Sequence, residues 1–594
     1  MIKLRTTLCL IIIAFSRLNE STADDYPNVV IFLADDQGWG DLSVSGNTNL
    51  ATPHIDSLAH DGATIEHFYV CAVCAPTRAE FLTGRYHPRT GVSGVSTGDE
   101  RLNADEVTIA DHFKAAGYAT AAFGKWHNGT QPPLHPNYRG FDEFYGFTSG
   151  HWGHYFSPPL DNNGQRVRGN GFVVDDFTDH AIEFIKANRE QPFFCYLPFN
   201  TPHSPMMVPD RWYEKFTDFD PTMKHRDSEK EDVAMTRAAL ALCENIDWNV
   251  GRVLQTLDEL QLRNDTIVVY FSDNGPNSWR WNGGMKGRKG SVDEGGLRSP
   301  FFLRWPGSVP KGLKTSQVAG AIDLLPTLTE LANIECTSAK PLDGRSFAPL
   351  LRGATTELPE RPLFSIWRNK VSLRTQQYRF DNDGHLFDIA ADPGQQTDIA
   401  HEHPELATEL SLQTKQFQQE MQALATAYAN RPFHVGYGPS TTLPARDGVA
   451  HGTIQRSAKA PNNSFFENWT STDDSITWDV DVGRAGKYEV VVYYTCANGD
   501  QGAELQLAME AQGTNGSTQG DPATAFVTEA FDPPLYDKSK ERVPRSHYFV
   551  KDFKPLTLGH LQLSKGQCAL RLKALKKPGR DVIDVHSIDL NLLP

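Results

Sequence analysis

Residues 28–34 read Asn-Val-Val-Ile-Phe-Leu-Ala, a run apolar from its second position on, and Asp35 and Asp36 come directly after it. A short continuous apolar run of this kind is predicted to be a strand covered on both faces. The pattern recurs. Residues 107–116 have helical spacing and lead into a strand-like run at 119–123. Residues 177–188 read as a helix and 192–198 as a strand, and a long helical stretch over 232–262 precedes another apolar run at 266–271. Strands alternating with helices imply an α/β architecture, a large and mostly parallel sheet with helices on both faces.

Each of these strands ends in a short polar cluster of distinct composition. Asp35-Asp36 comes after the first, Gly124-Lys125-Trp126-His127 after the second, Asn200-Thr-Pro-His203 after the third and Ser272-Asp273-Asn274-Gly275 after the fourth. Ligands of open α/β sheets bind beyond the carboxyl ends of the strands, so the four clusters are expected to converge on one edge. Asp35, Asp36, Asp273 and Asn274 would offer oxygen donors of the kind that hard cations such as Ca2+ or Mg2+ prefer. Three carboxylates brought together without a cation would repel one another. Taken singly, each pair also fits a turn or a helix cap.

Cys71-Ala-Val-Cys74-Ala-Pro76-Thr-Arg78 is the other unusual string. Pro76 suits the first turn of a helix running to about Thr83. Cys74 would then lie near a helix N-terminus, where N–H groups favour anions, and the residues alone suggest a thiolate of low pKa. A buried structural cysteine, or a disulfide between Cys71 and Cys74, are the other readings.

Cys74-Ala-Pro-Thr-Arg78, continued by Leu82-Thr-Gly84-Arg85, resembles the Cys-x-Pro-x-Arg signature of the type I, formylglycine-dependent sulfatases of the alkaline phosphatase superfamily. The resemblance extends in order over about residues 27–400. It takes in Asp35-Asp36-Gln-Gly-Trp-Gly-Asp41, Gly124-Lys-Trp-His127, Pro202-His203, Asp273-Asn-Gly275, Gly287-Arg-Lys289-Gly, Glu294-Gly-Gly296 and a closing Phe387-Asp-Ile-Ala-Ala-Asp-Pro393. It implies an alkaline-phosphatase-like sheet and hydrolysis of sulfate esters. It also implies oxidation of Cys74 to Cα-formylglycine by a formylglycine-generating enzyme. One hydroxyl of the aldehyde hydrate would attack sulfur. One divalent metal, Ca2+ or else Mg2+, would be held by Asp35, Asp36, Asp273, Asn274 and the modified Cys74. Arg78 would hold the hydrate, and Lys125, Lys289 and His203 would surround the sulfate. His203 or Lys289 would protonate the leaving oxygen, and His127 would deprotonate the remaining hydroxyl to expel sulfate. The matching position of His151, in the His- and Trp-rich stretch 147–156, implies a substrate contact. A sulfated carbohydrate is the expected substrate.

The chain has 594 residues, long enough for more than one core. Lys3 and Arg5 precede an apolar run over 8–15, and Ser21-Thr22-Ala23 fits a cleavage site, so 1–23 reads as an export signal and the protein as secreted or periplasmic. A membrane anchor is the other reading, but the run is shorter than the ~20 residues a spanning helix needs, and no other stretch could span. The formal charge is −16, and −18 once three positive residues and one negative leave with the signal. Such a surface repels nucleic acid, so any anionic substrate needs a locally positive site. The catalytic domain is expected over 24–340. A small α+β subdomain over 341–430 should hold strands at 363–367 and 371–380 and a helix over 403–428. Residues 431–448, rich in Gly, Pro, Ser and Thr, read as a linker. Short alternating runs at 476–482, 486–494, 503–509, 547–553 and 568–572 suggest an appended β-sandwich over 449–594. Trp478, Tyr493 and Tyr494 would either stack on sugars or pack its core. Asn128, Asn264 and Asn515 open sequons. Two other functions fit the same residues: a phosphonate or phosphate monoester hydrolase of the same superfamily, and a non-catalytic sulfated-glycan-binding protein should Cys74 stay unmodified.

Overall fold

The computed structural model describes residues 26–511, 518–544 and 550–594. The expected export signal at 1–23, the Asn515 sequon and residues 547–549 of the run at 547–553 lie outside the described residues.

An eleven-stranded sheet organises the catalytic unit. Its strands are β1 (Asn28–Asp35), β2 (Ala63–Tyr69), β3 (Ala119–Lys125), β4 (Glu143–Phe147), β5 (Pro159–Asn162), β6 (Gln165–Arg168), β7 (Phe193–Pro202), β8 (Thr266–Ser272), β9 (Arg298–Ser299), β10 (Phe301–Arg304) and β11 (Leu313–Gly320). The order is β11-β2-β10-β8-β1-β7-β3-β4-β5-β6, with β9 beside β2. The five strands β8, β1, β7, β3 and β4 run parallel. Antiparallel pairing enters on the flanks, at β10 and at the β5–β6 hairpin. That hairpin turns through Asn163 and Gly164, both at positive φ, the conformation that tight hairpin turns demand.

Every residue of β1 is buried. Val30, Phe32 and Ala34 face one core, shared with α4 (Val173–Ala187) and the long helix Val233–Glu259. Val29, Ile31 and Leu33 face the other, shared with α2 (Cys74–Thr83) and α3 (Ile109–Ala115). At roughly 1.5–3 kcal/mol for each large apolar side chain removed from water, this two-sided burial pins the register that aligns the strand ends.

Leu363–Trp367, Lys370–Arg374, Tyr378–Asp381 and Leu386–Asp388 form an antiparallel meander, covered by the helix Pro404–Ala427. The single strand expected over 371–380 is two, because Thr375 and Tyr378 close a tight turn between them.

The C-terminal unit is a sandwich of two six-stranded sheets. The expected linker at 431–448 belongs to it. Phe433–Val435 pairs with Ser475–Val482, and Ser440–Pro444 pairs with Asp584–Leu592. The turn-forming residues of that stretch sit between these strands, while Val435 and Leu443 are core residues. Trp478 and Tyr494 also lie in the core, and Tyr493 is covered by the Arg166 guanidinium, 4.0 Å from its ring centre. Neither Trp478 nor Tyr494 is placed to stack on a sugar. Arg166, from β6, also pairs with Asp589 at 2.9 Å, so the sandwich is docked on the catalytic sheet. No helix of the described residues is long and apolar enough to cross a membrane.

Candidate active site

Strands β1 and β8 are neighbours in register, Ala34 against Ser272, so Asp35-Asp36 and Asp273-Asn274 leave the sheet edge side by side. The backbone N–H of Asp273 donates to Ala34 O (3.0 Å), that of Asp36 to Asp273 Oδ1 (3.2 Å), and Asn274 Nδ2 to Asp36 Oδ1 (2.8 Å). Asp36 adopts the left-handed region, φ 69°, uncommon for a non-glycine residue. Arg280 secures that turn, donating from Nη2 to Asp36 O (2.9 Å) and to Asp41 Oδ2 (2.7 Å).

Each buried carboxylate has its own cation. Lys125, at the end of β3, donates from Nζ to Asp35 Oδ2 (2.8 Å). Lys289 Nζ lies 2.5 Å from Asp36 Oδ1. Arg78 Nη2 lies 2.8 Å from Asp273 Oδ2, and its Nη1 donates to Lys125 O (2.7 Å). Pairing of this kind is what makes three buried carboxylates tolerable. Burial acts to raise the Asp36 carboxyl, but Lys289 and His203 outweigh it and hold the group well below the usual carboxylate range. Burial and the charge of Asp35 push Asp273 up to about 6 against the pull of Arg78. Asp36 keeps Lys289 charged in spite of burial.

Two oxygens in this cluster are left over. Asp35 Oδ1 and Asn274 Oδ1 are buried and have no hydrogen-bond partner among the described residues. Ligand atoms of Asp35, Asp273 and Cys74 lie within 4.8 Å of one another, as do those of Asp35, Asp36 and His203. Orphaned buried oxygens are costly. A hard divalent cation satisfies such a donor set, so the residues fit one.

Cys74 is the first residue of α2, after an extended Val73 that provides no side-chain cap. The turn before it is tied to its surroundings: Gly290 N donates to Ala72 O (2.7 Å) and Thr77 Oγ1 to Asp273 O (2.5 Å). Cys71 and Cys74 are both free thiols. Burial pushes the Cys74 thiol up in spite of Lys125 and Lys289. The low-pKa thiolate expected from a helix N-terminus is therefore not present, because the site is too deep for a bare thiolate.

His127 comes after Lys125 and Trp126 with φ 68°. Its Nε2–H donates to Val95 O (2.9 Å), and its buried Nδ1 has no partner among the described residues. Burial and then Lys125 hold the ring neutral, so Nδ1 is a proton acceptor. Burial and Lys289 bring His203 down to about 3. Its Nδ1–H donates to Ser204 O (2.6 Å), and Nε2 stands 3.7 Å from Asp36 Oδ2. The ring of His151 lies parallel to that of His203, with centroids 6.0 Å apart. The structure thus brings the sequence-predicted residues to one edge, with Arg78 fixed to Asp273 and the Lys125 carbonyl. Asn128, proposed as a sequon, is fully buried and donates to Ala75 O and Glu100 O.

Sequence reasoning missed several supporting residues. Arg280 and its partner Asp41 are one pair, and Asp41 was visible in the motif that opens with Asp35. Asn462, from the sandwich, donates from Nδ2 to Val95 O (3.0 Å), the carbonyl that holds His127. Gly150 lies against both side chains: a Cβ there would overlap Asn462 Nδ2 and His127 Nε2 alike.

Comparison with known proteins agrees with this geometry. Residues 27–334, more than half of the chain, match the family described as Sulfatase. The N-acetylgalactosamine-6-sulfatase of Sus scrofa is 30% identical over 405 residues, covering 62% of this chain and 73% of that protein. The steryl-sulfatase of Mus musculus is 32% identical over 444 residues, covering 58% and 68%. The crystal structure of Ps i-CgsB in complex with k-i-k-neocarrahexaose superposes with a TM-score of 0.61 at 27% identity, over 66% of this chain and 93% of that one. The family match over more than half of the chain and the sulfatase relatives identify the chain as a member of the sulfatase family, a hydrolase of sulfuric esters.

Proposed function

We propose that the protein removes sulfate from a sulfated carbohydrate, with Cys74 converted to Cα-formylglycine and one divalent cation, Ca2+ in preference to Mg2+, in the site. The observation that carries this reading is the placement of the Cys74 side chain within 4.8 Å of Asp35 and Asp273, beside the orphaned oxygens of Asp35 and Asn274. Asp35, Asp36, Asp273, Asn274 and the side chain at 74 would hold the cation. When bound, it supplies positive charge that polarises a sulfate oxygen. The modified side chain supplies a hydroxyl nucleophile where a buried thiol is inert.

The rest falls to the chain's own residues. Arg78, Lys125 and Lys289 already balance the three carboxylates, so a divalent cation leaves the site positive and receptive to an anionic ester. Either Lys289 or His203 would protonate the leaving oxygen: Lys289 carries a proton that Asp36 makes it hold more tightly, and His203 commits its Nδ1–H to Ser204 O and turns Nε2 toward Asp36. His127, with Nε2–H on Val95 O, presents Nδ1 to take the proton from the second hydroxyl. His151, parallel to His203, is placed for a substrate contact.

A carbohydrate is supported by the oligosaccharide bound to Ps i-CgsB and by the N-acetylgalactosamine-6-sulfatase relative; a steryl-sulfatase relative favours testing sterol esters beside it. The export pattern at 1–23 supports a secreted or periplasmic enzyme matured by a formylglycine-generating enzyme. Intact mass of the Cys74 peptide tests the central step. Conversion exchanges sulfur and two hydrogens for one oxygen, so the peptide becomes lighter and, once unfolded, takes up one alkyl group, at Cys71, instead of two. An active enzyme with an unchanged, alkylatable thiol would end this reading, and faster turnover of aryl phosphate than aryl sulfate would favour the phosphoester alternative.

A further inference from the structure

Beside Lys289 the surface opens into a cleft of 730 Å³, walled by residues 225–227, Lys230, Trp279, residues 286–291, Asp293 and, from the small subdomain, Lys370 and Gln395. Its volume is in the range that holds a ligand of sugar-unit size or larger. Six of its lining residues are basic (Arg226, Lys230, Lys286, Arg288, Lys289 and Lys370), against two acidic ones, Asp227 and Asp293. In a chain of net charge −16, this local excess of positive charge needs a cause.

Internal pairing does not account for it. Lys230 is taken up by Asp227 at 2.7 Å, with Arg226 sharing that carboxylate at 3.7 Å. Lys286 pairs with Asp293 at 3.2 Å and Lys289 with Asp36 at 2.5 Å. Arg288 and Lys370 have no carboxylate within ion-pair distance among the described residues. Arg288 donates from Nη1 to Asn277 O (3.0 Å) and lies 4.9 Å from the Trp279 ring centre, while its buried Nε has no partner among the described residues. Gathering cations in this way is unfavourable unless an anion joins them, and an arginine fork suits sulfate or carboxylate.

The geometry points to a second anion subsite in this cleft. It would hold a further sulfate or carboxylate of the same glycan whose ester is being cleaved, so that the preferred substrate is a multiply charged carbohydrate. Lys289 belongs to both regions, facing Asp36 in the reaction site and lining the cleft, which makes the two continuous. This inference rests on the carbohydrate sulfatase reading above and deepens it.

The test uses three polymers of one backbone, dextran sulfate, carboxymethyl dextran and dextran, as inhibitors of 4-nitrophenyl sulfate hydrolysis by the full chain. Dextran sulfate is expected to inhibit, carboxymethyl dextran will inhibit as well if the subsite accepts carboxylates, and dextran will not. In Arg288→Ala/Lys370→Ala, inhibition by dextran sulfate should weaken about tenfold more than turnover of the small ester changes. Lys370→Glu, at an exposed position, repeats the measurement without touching a buried side chain. Equal inhibition of the parent and both variants would overturn the subsite. Should 4-nitrophenyl sulfate not be hydrolysed at all, that failure belongs to the proposed reaction. Calorimetric titration with dextran sulfate then tests the cleft: weaker binding by the variants supports it and unchanged binding overturns it.

Discussion

His127 and Asn462 donate to one acceptor, the carbonyl oxygen of Val95, at 2.9 and 3.0 Å. The first stands at the end of a strand in the catalytic sheet, the second on the short turn Pro461–Asn463 of the C-terminal sandwich. Asn462→Ala removes the amide but leaves the backbone contact in which Asn462 O accepts from Ser149 Oγ (2.5 Å). We expect kcat for an aryl sulfate to fall about tenfold as the His127 ring loses its fixed orientation. KM and the thermal midpoint should hardly move. Steady-state kinetics beside a thermal melt separate these quantities, and an unchanged kcat would remove Asn462 from any part in orienting the ring.

Gly150→Ala drives a methyl group between the same two side chains. Because the clash is with both rather than the loss of one, the expected fall in kcat is larger, on the order of a hundredfold. The far-ultraviolet circular dichroism spectrum should be retained. Activity within about twofold of the parent would show that the loop yields instead of the histidine.

Chelation should destabilise the protein as well as silence it. Without a cation, Asp35 Oδ1 and Asn274 Oδ1 stay unsatisfied. A cation present at a hundred times its dissociation constant stabilises by about 2.7 kcal/mol. Treatment with EDTA is expected to lower the thermal midpoint and added Ca2+ to restore it. A midpoint indifferent to both would count against a cation at these residues.

Glu80 gives a pH signature away from the reaction site. Burial pushes its carboxyl up to about 8, although His87 N donates to it at 3.2 Å. In the unfolded chain the group ionises near 4.5. Its contribution is therefore complete below the unfolded value and is lost as pH rises through the folded one. Glu80→Gln should melt several degrees above the parent near pH 9, with the difference shrinking toward pH 5. Parallel melting curves at all pH values would show that Glu80 is ionised in the fold.

Much of this was legible in the chain itself. Continuous apolar runs marked β1, β3, β7 and β8, and the residues just past them, Asp35, Lys125, His203 and Asp273, meet at the edge. Short elements were not legible. The β5–β6 hairpin has four residues a side and little apolar content, and the stretch 431–448 places only scattered side chains such as Val435 and Leu443 in a core, among residues that elsewhere form turns. Depth was also invisible: a helix N-terminus favours a thiolate only where solvent or a cation reaches it, and Cys74 is buried. Asn462 bears on the site through a contact spanning 367 positions, which no local pattern encodes.

The joint between sandwich and sheet limits how such enzymes can be recombined. Arg446 reaches Thr130 at 2.6 Å, Arg166 spreads over Tyr493, and Asn462 shares the Val95 carbonyl with His127. Cutting the polypeptide after the helix Pro404–Ala427 would not yield a minimal version of the same catalyst. In this chain the two halves are held together by contacts that reach the residues around His127.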